Sequence, residues 1–189
     1  MLMVVQTYEE GLPEYYGIQQ CFRMSGNTNQ EWRRKIADTP AFSEYDLWKS
    51  QPPGADKKSL TYVMRDRHWE PVPAGEDATG ARTPLGIEID EWRTSGRPME
   101  AVGPYQAKML DPVDNGLITR TDLSGSWVCG IHWQSTSHVT NHHPADCLHS
   151  IINVGHVPPF SKRALLGKIY WFKGSKEDLY DHYRIDFLE

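Results

Sequence analysis

Cysteine is scarce in this chain: there are three, Cys21, Cys129 and Cys147, in 189 residues. An odd number cannot all pair within one chain, and so sparse a set is not the framework of a disulfide-stapled secreted domain. No asparagine stands in an N-x-S/T acceptor. Long apolar runs are missing too, none approaching the ~20 residues that span a bilayer as a helix. The opening M-L-M-V-V-Q-T-Y-E-E has no basic leader, so it does not read as a signal peptide. These absences favour a cytoplasmic protein, or an extracytoplasmic one if a leader has been removed. They argue against a membrane partner.

Basic blocks are equally lacking. The densest are Arg33-Arg34-Lys35 and Lys162-Arg163, in a chain of 20 basic and 25 acidic residues with net charge -5. A nucleic-acid surface needs a basic footprint, so that partner is excluded. Neither a G-x-G-x-x-G nor a phosphate-loop pattern occurs, and strands do not alternate regularly with helices. A parallel nucleotide-binding sheet is therefore not expected.

Aromatics, in contrast, are plentiful, with seven Trp and nine Tyr. Short alternating runs separated by Gly/Pro turns point to a single β-rich domain over residues 1–189. The expected fold is a mainly antiparallel β-sandwich, jelly-roll-like, with short peripheral helices; a β-barrel is the alternative. Strands are expected near 1–10, 15–24, 60–69, 86–93, 102–110, 117–121 and 164–172. Helices are expected near 29–50 and 175–186, the latter opened by Ser175-x-x-Asp178, a capping box with Asp in place of Glu. Residues 71–84 read as loop.

Six of the eight histidines fall between Trp127 and His156. Taken as one strand, Ser126–Asn141 alternates. Trp127, Cys129, Ile131 and Trp133 face the core, and Gly130, His132, Gln134, Thr136, His138 and Thr140 form a polar wall. On that wall His132 and His138 are candidate bases, with Gln134 to hold a ligand oxygen. Cys129, on the apolar face, is a poor nucleophile because burial keeps a thiol protonated.

At about 3.3 Å per residue, His132 and His138 stand roughly 20 Å apart and cannot share an ion. A divalent metal such as zinc requires the chain to double back at 141–146. In one simple register His138 then faces His149, with His142, His143 or Asp146 completing the set. Candidate ligands are therefore His138, His142, His143 and His149.

Glu88-Ile89-Asp90, read as a strand, resembles the start of the E-x-D-x-(x)-E signature of β-jelly-roll endoglucanases of the laminarinase and lichenase type. The resemblance implies a nucleophile at Glu88 and an assisting acid at Asp90. The family's closing Glu, the general acid, is replaced here by Trp92 or Arg93, and the match covers only Glu88 to Arg93. It adds weight to a sandwich without assigning an activity.

Three functions fit this reading. The first is a carbohydrate-binding or carbohydrate-active protein, a lyase or hydrolase using His132 or His138 as base. Its saccharide-like ligand would meet Gln134, Trp133, Trp92, Arg93 and Arg120. The second is a zinc-type enzyme centred on His138 and His149. The third is a non-catalytic assembly subunit, a homo-oligomer included.

Overall fold

A computed structural model describes residues 1–24, 51–52, 59–74, 78–95, 107–142 and 146–189. The helices expected at 29–50 lie outside them. Among the described residues, eleven strands form two sheets. The six-stranded sheet contains β1 (Leu2–Gln6), β3 (Thr61–Arg65), β4 (His68–Pro71), β7 (Ile118–Thr121), β8 (Trp127–Trp133) and β11 (Lys162–Lys173), in the order β1-β11-β8-β7-β3-β4. The five-stranded sheet contains β2 (Gly17–Arg23), β5 (Thr79–Arg82), β6 (Lys108–Met109), β9 (Thr136–His142) and β10 (Cys147–Asn153), in the order β2-β10-β9-β5-β6. All pairings are antiparallel except β5 with β6.

Both sheets contribute to one core. Val63, Ile118, Ile131 and Leu165 of the first meet Ala81, Val139, Leu148 and Ile152 of the second. Each sheet ends in edge strands and neither closes on itself. The architecture is a β-sandwich; the barrel alternative is set aside.

Two helices among the described residues lie on the outside. Helix α2 (Lys176–Phe187) covers the six-stranded sheet, burying Leu179 and Tyr183 against Leu117, Val128 and Tyr170. It starts where Ser175 was expected to cap it. Ser175 Oγ accepts from Asp178 N at 3.1 Å, and Asp178 Oδ2 accepts from Ser175 N at 2.8 Å, so two otherwise orphaned amides are satisfied reciprocally.

Helix α1 (Pro84–Thr94) corrects the strand expected at 86–93. Alternation of Ile87 and Ile89 was the wrong period to follow. Thr83 Oγ1 accepts from Gly86 N at 3.2 Å as a cap, and Pro84 takes the first helical position, where its fixed φ suits and its missing N–H costs nothing. Gly86 lets the helix lie directly on β9, since a Cβ there would stand 2.1 Å from the Ser137 carbonyl oxygen.

Three smaller corrections follow from turns. Residues 60–69 are a hairpin, β3 and β4, folded at Asp66 and Arg67, which both take left-handed φ values of 49° and 64°; that matches a tight two-residue turn. The loop expected at 71–84 contains β5.

The third concerns the histidine-rich stretch, which is two strands and not one. The chain bends at Gln134 and Ser135 (φ 59°), and β8 and β9 enter different sheets. Inward alternation survives the bend: Cys129, Ile131 and Trp133 lie inside, as does Val139. The polar wall does not survive. His132 lies beneath α2 on one sheet, and His138 lies beneath α1 on the other.

Candidate metal centre

The outer face of the five-stranded sheet is where donors converge. Antiparallel register places His149 of β10 directly across from Cys21 of β2 and from Thr140 of β9. Cys147, two residues earlier on β10, faces Arg23 on one side and His142 on the other. Directly opposed residues of an antiparallel pair share a face. Cys21, Cys147 and His149 consequently meet, each offering one ligand atom, with those atoms all within 4.8 Å of one another. A tetrahedral zinc ion held by thiolates and imidazole needs donor separations of about 3.5–3.8 Å from its bond lengths.

The surroundings suit ligation. Cys147 and His149 are buried and Cys21 is exposed. Arg23 Nε donates to Cys147 Sγ at 3.4 Å. His149 Nδ1 and Thr140 Oγ1 are 3.0 Å apart, a contact that orients the ring. His142 stands at the rim, its ring centroid 6.0 Å from that of His149.

Burial, the nearby Cys147 and the hydrogen bond to it push the Cys21 thiol up to about 11. Burial, then the charges of His142 and Arg23, lowers His149 to about 4. The imidazole is therefore in its ligating, neutral form at pH 7, while Cys21 would release a proton to a cation.

The assumed register was off by two residues. His138 faces Ile151, not His149. Its Nδ1 lies 3.0 Å from Ser137 Oγ, and its Nε2 lies 3.9 Å from Asp90 Oδ1. Asp90 in turn meets Arg82 at 3.4 Å. His143 lies outside the described residues.

The two acids anticipated on one strand face are separated instead. At 100° per residue on α1, Glu88 and Asp90 point about 200° apart. Glu88 accepts from Tyr15 OH at 2.7 Å, far from the Asp90–His138 pair in direction. Trp92 packs edge-on to Tyr15, centroids 5.0 Å apart; of Arg93 only its place in the helix is described.

The remaining sequence candidates stand elsewhere. His132 packs edge-on against Tyr183 and Phe187 at 4.9 and 4.5 Å, and burial lowers it to about 4. Trp133 is buried in the inter-sheet core. Arg120 is fully enclosed between Thr61, Asn141 and Asp146. Gln134, at the bend, accepts from Leu166 N through Oε1 at 3.0 Å. Cys129 is buried and pushed up to about 12, as its place on the apolar side implied.

Cys21 and Cys147 were passed over as ligands because a count of three cysteines has no framework in it. The usable signal was local. Cys147-x-His149 on a strand puts both side chains on one face. Gln19, Cys21 and Arg23 form one face of β2, opposite the core-packed Ile18 and Phe22.

No helix among the described residues is long and apolar enough to cross a membrane. The chain matches no protein-family profile, no curated protein and no solved structure. What fold and site together define is a two-sheet β-sandwich with a thiol–imidazole cluster on the outer face of its smaller sheet.

Proposed function

We propose that this chain is a metal-binding sandwich protein whose centre is Cys21, Cys147 and His149, with zinc as the fitting cation. The observation that carries this reading is the convergence of two sulfurs and an imidazole within 4.8 Å on adjacent strands. Soft thiolate with borderline imidazole is a donor set for zinc rather than for calcium or magnesium. Three protein ligands with an open side match a catalytic zinc, which keeps a position for water or substrate; a fourth ligand would make the site structural. His142 is the residue that could supply that fourth bond, and the exposed side of Cys21 favours the open form. A hydrolase or lyase would then use metal-bound water, and a polar, carbohydrate-like substrate would be met at the rim. Cysteines kept as free thiols fit a reducing compartment, the cytoplasm.

Titration of untagged, metal-free protein with Co²⁺ and Zn²⁺ tests this. The expected result is one equivalent bound, with a sulfur-to-cobalt charge-transfer band that Cys21→Ser weakens and Cys147→Ser with His149→Gln abolishes. Zinc at a hundredfold excess over its dissociation constant should stabilise the fold by about 2.7 kcal/mol. Absence of both the band and any thermal shift would remove the proposal. Binding should weaken as pH falls, because protons compete for the thiolates and for His149.

A further inference from the structure

The edge of the larger sheet points to a second function, assembly. Strand β1 pairs with β11 on one side only among the described residues. Its residues alternate: Met3 and Val5 pack toward the core, while Leu2, Val4 and Gln6 face outward. Exposed large apolar residues gather around it. Leu2 is 63% exposed, Val4 56% and Leu166, directly across from Leu2, 50%, with Tyr8 at 66% and Phe160 at 75% where β1 ends.

Exposed strand edges are templates for pairing, and soluble proteins blunt them with charge, proline or brevity. The other three edges here are blunted. β4 has four residues and includes Glu70 and Pro71; β6 has two residues; β2 carries Arg23. β1, five residues long, has neither proline nor a charged side chain: none from Met1 to Tyr8 is charged, and the Met1 ammonium donates to Gly167 O on β11 at 2.6 Å.

We propose that β1 pairs antiparallel with β1 of a second copy about a two-fold axis at Val4. The occupant is argued from charge and symmetry. A net charge of -5 sets an overall repulsion between copies, and pairing through β1 brings no like-charged side chains of that strand together. In this register Leu2 of one copy faces Gln6 of the other, Met3 faces Val5, and Val4 faces itself. The apolar outer strip then becomes continuous across the axis. Such an isologous contact closes on itself as a dimer. Five residue pairs with flanking Tyr8, Phe160 and Leu166 sit near the lower end of specific interfaces, so the dimer is concentration-dependent.

Sedimentation velocity over a concentration series reads the result. Wild-type protein should shift from one to two chain masses as concentration rises. Val4→Lys and Val4→Glu should each remain monomeric over that range, because each sets like charges against themselves on the axis. Val4 points to solvent, so both variants should keep the wild-type thermal midpoint. An equimolar mixture of the two should dimerise again, Lys facing Glu. A wild type that stays monomeric throughout would overturn the proposal, and so would variants that dimerise as it does. Filaments in place of dimers would contradict two-fold closure. Binding of an extended peptide by a monomeric wild type would assign the edge to a foreign strand instead.

Discussion

Asp146→Ala is expected to destabilise the protein by about 3–5 kcal/mol, the cost of taking the carboxylate away from a buried guanidinium. Asp146 and Arg120 are both fully buried, their charged atoms 3.4 Å apart. Arg120 also donates from Nη2 to Asn141 Oδ1 at 2.7 Å and from Nε to Thr61 Oγ1 at 2.9 Å. These bonds link β3 and β7 of one sheet to β9 and the start of β10 in the other. Desolvating two charges gives back much of their attraction, so the intact pair adds little net stability, whereas breaking it is severe. That asymmetry makes a sharp test. Arg120→Met combined with Asp146→Ala should be more stable than Asp146→Ala alone, by urea midpoint at constant m-value. A single variant that loses less than about 1 kcal/mol would show the pair to be solvated. Asp146→Asn should cost less than Asp146→Ala, since Asn tolerates the left-handed φ of 50° found there.

Acidification provides the second large effect. Burial beneath Tyr183 and Phe187 lowers His132 to about 4, with a backbone hydrogen bond at Gly116 opposing. In the unfolded chain the same side chain titrates near 6.5. Between these values the unfolded state binds the extra proton, so stability rises with pH across this window. The contribution is complete above about pH 6.5, is lost as pH falls toward about 4, and changes no further below that. At about 1.4 kcal/mol per pH unit, the loss amounts to about 3 kcal/mol. His132→Leu removes the titration while retaining an apolar side chain against α2. Urea unfolding at pH 7.5, 6, 5 and 4.5 should show a steep fall for the wild type and a flatter one for the variant. Parallel slopes would mean that His132 is reached by water in the folded protein.

Much of the sandwich could be read from period and punctuation. β1, β2, β7 and β11 fall where alternating or apolar runs end in Gly, Pro or Asn/Asp, and Ser175 marks the start of α2. The failures have a common physical source. Over Leu85–Trp92 apolar spacing fits a strand as well as a helix, and only the Thr83-Pro84 cap decides between them. Between Trp133 and Thr136 the alternation runs unbroken through a bend, because an even-length excursion preserves inward and outward parity while changing the sheet. Periodicity is blind to such a bend.

The candidate site shows the same limit in pairing. A return of the chain at 141–146 was supposed only as the condition for a metal site, on the turn residues Asn141-His142-His143-Pro144-Ala145-Asp146. Its register was assumed, and a shift of two residues puts Thr140 in place of His138 opposite His149. Cys21 is 126 positions from Cys147 in the chain and next to it only through the β2–β10 ladder. No local spacing encodes that contact.

The placement of Cys21 on β2 also decides how anything reaches the centre. Among the described residues β2 is the last strand of its sheet, so the cluster, shared with its neighbour β10, sits at the hem of the fabric. A cation there would stitch the outermost strand to its neighbour from the outside. Loading and unloading it requires no parting of the two sheets, and the inter-sheet core can remain shut throughout.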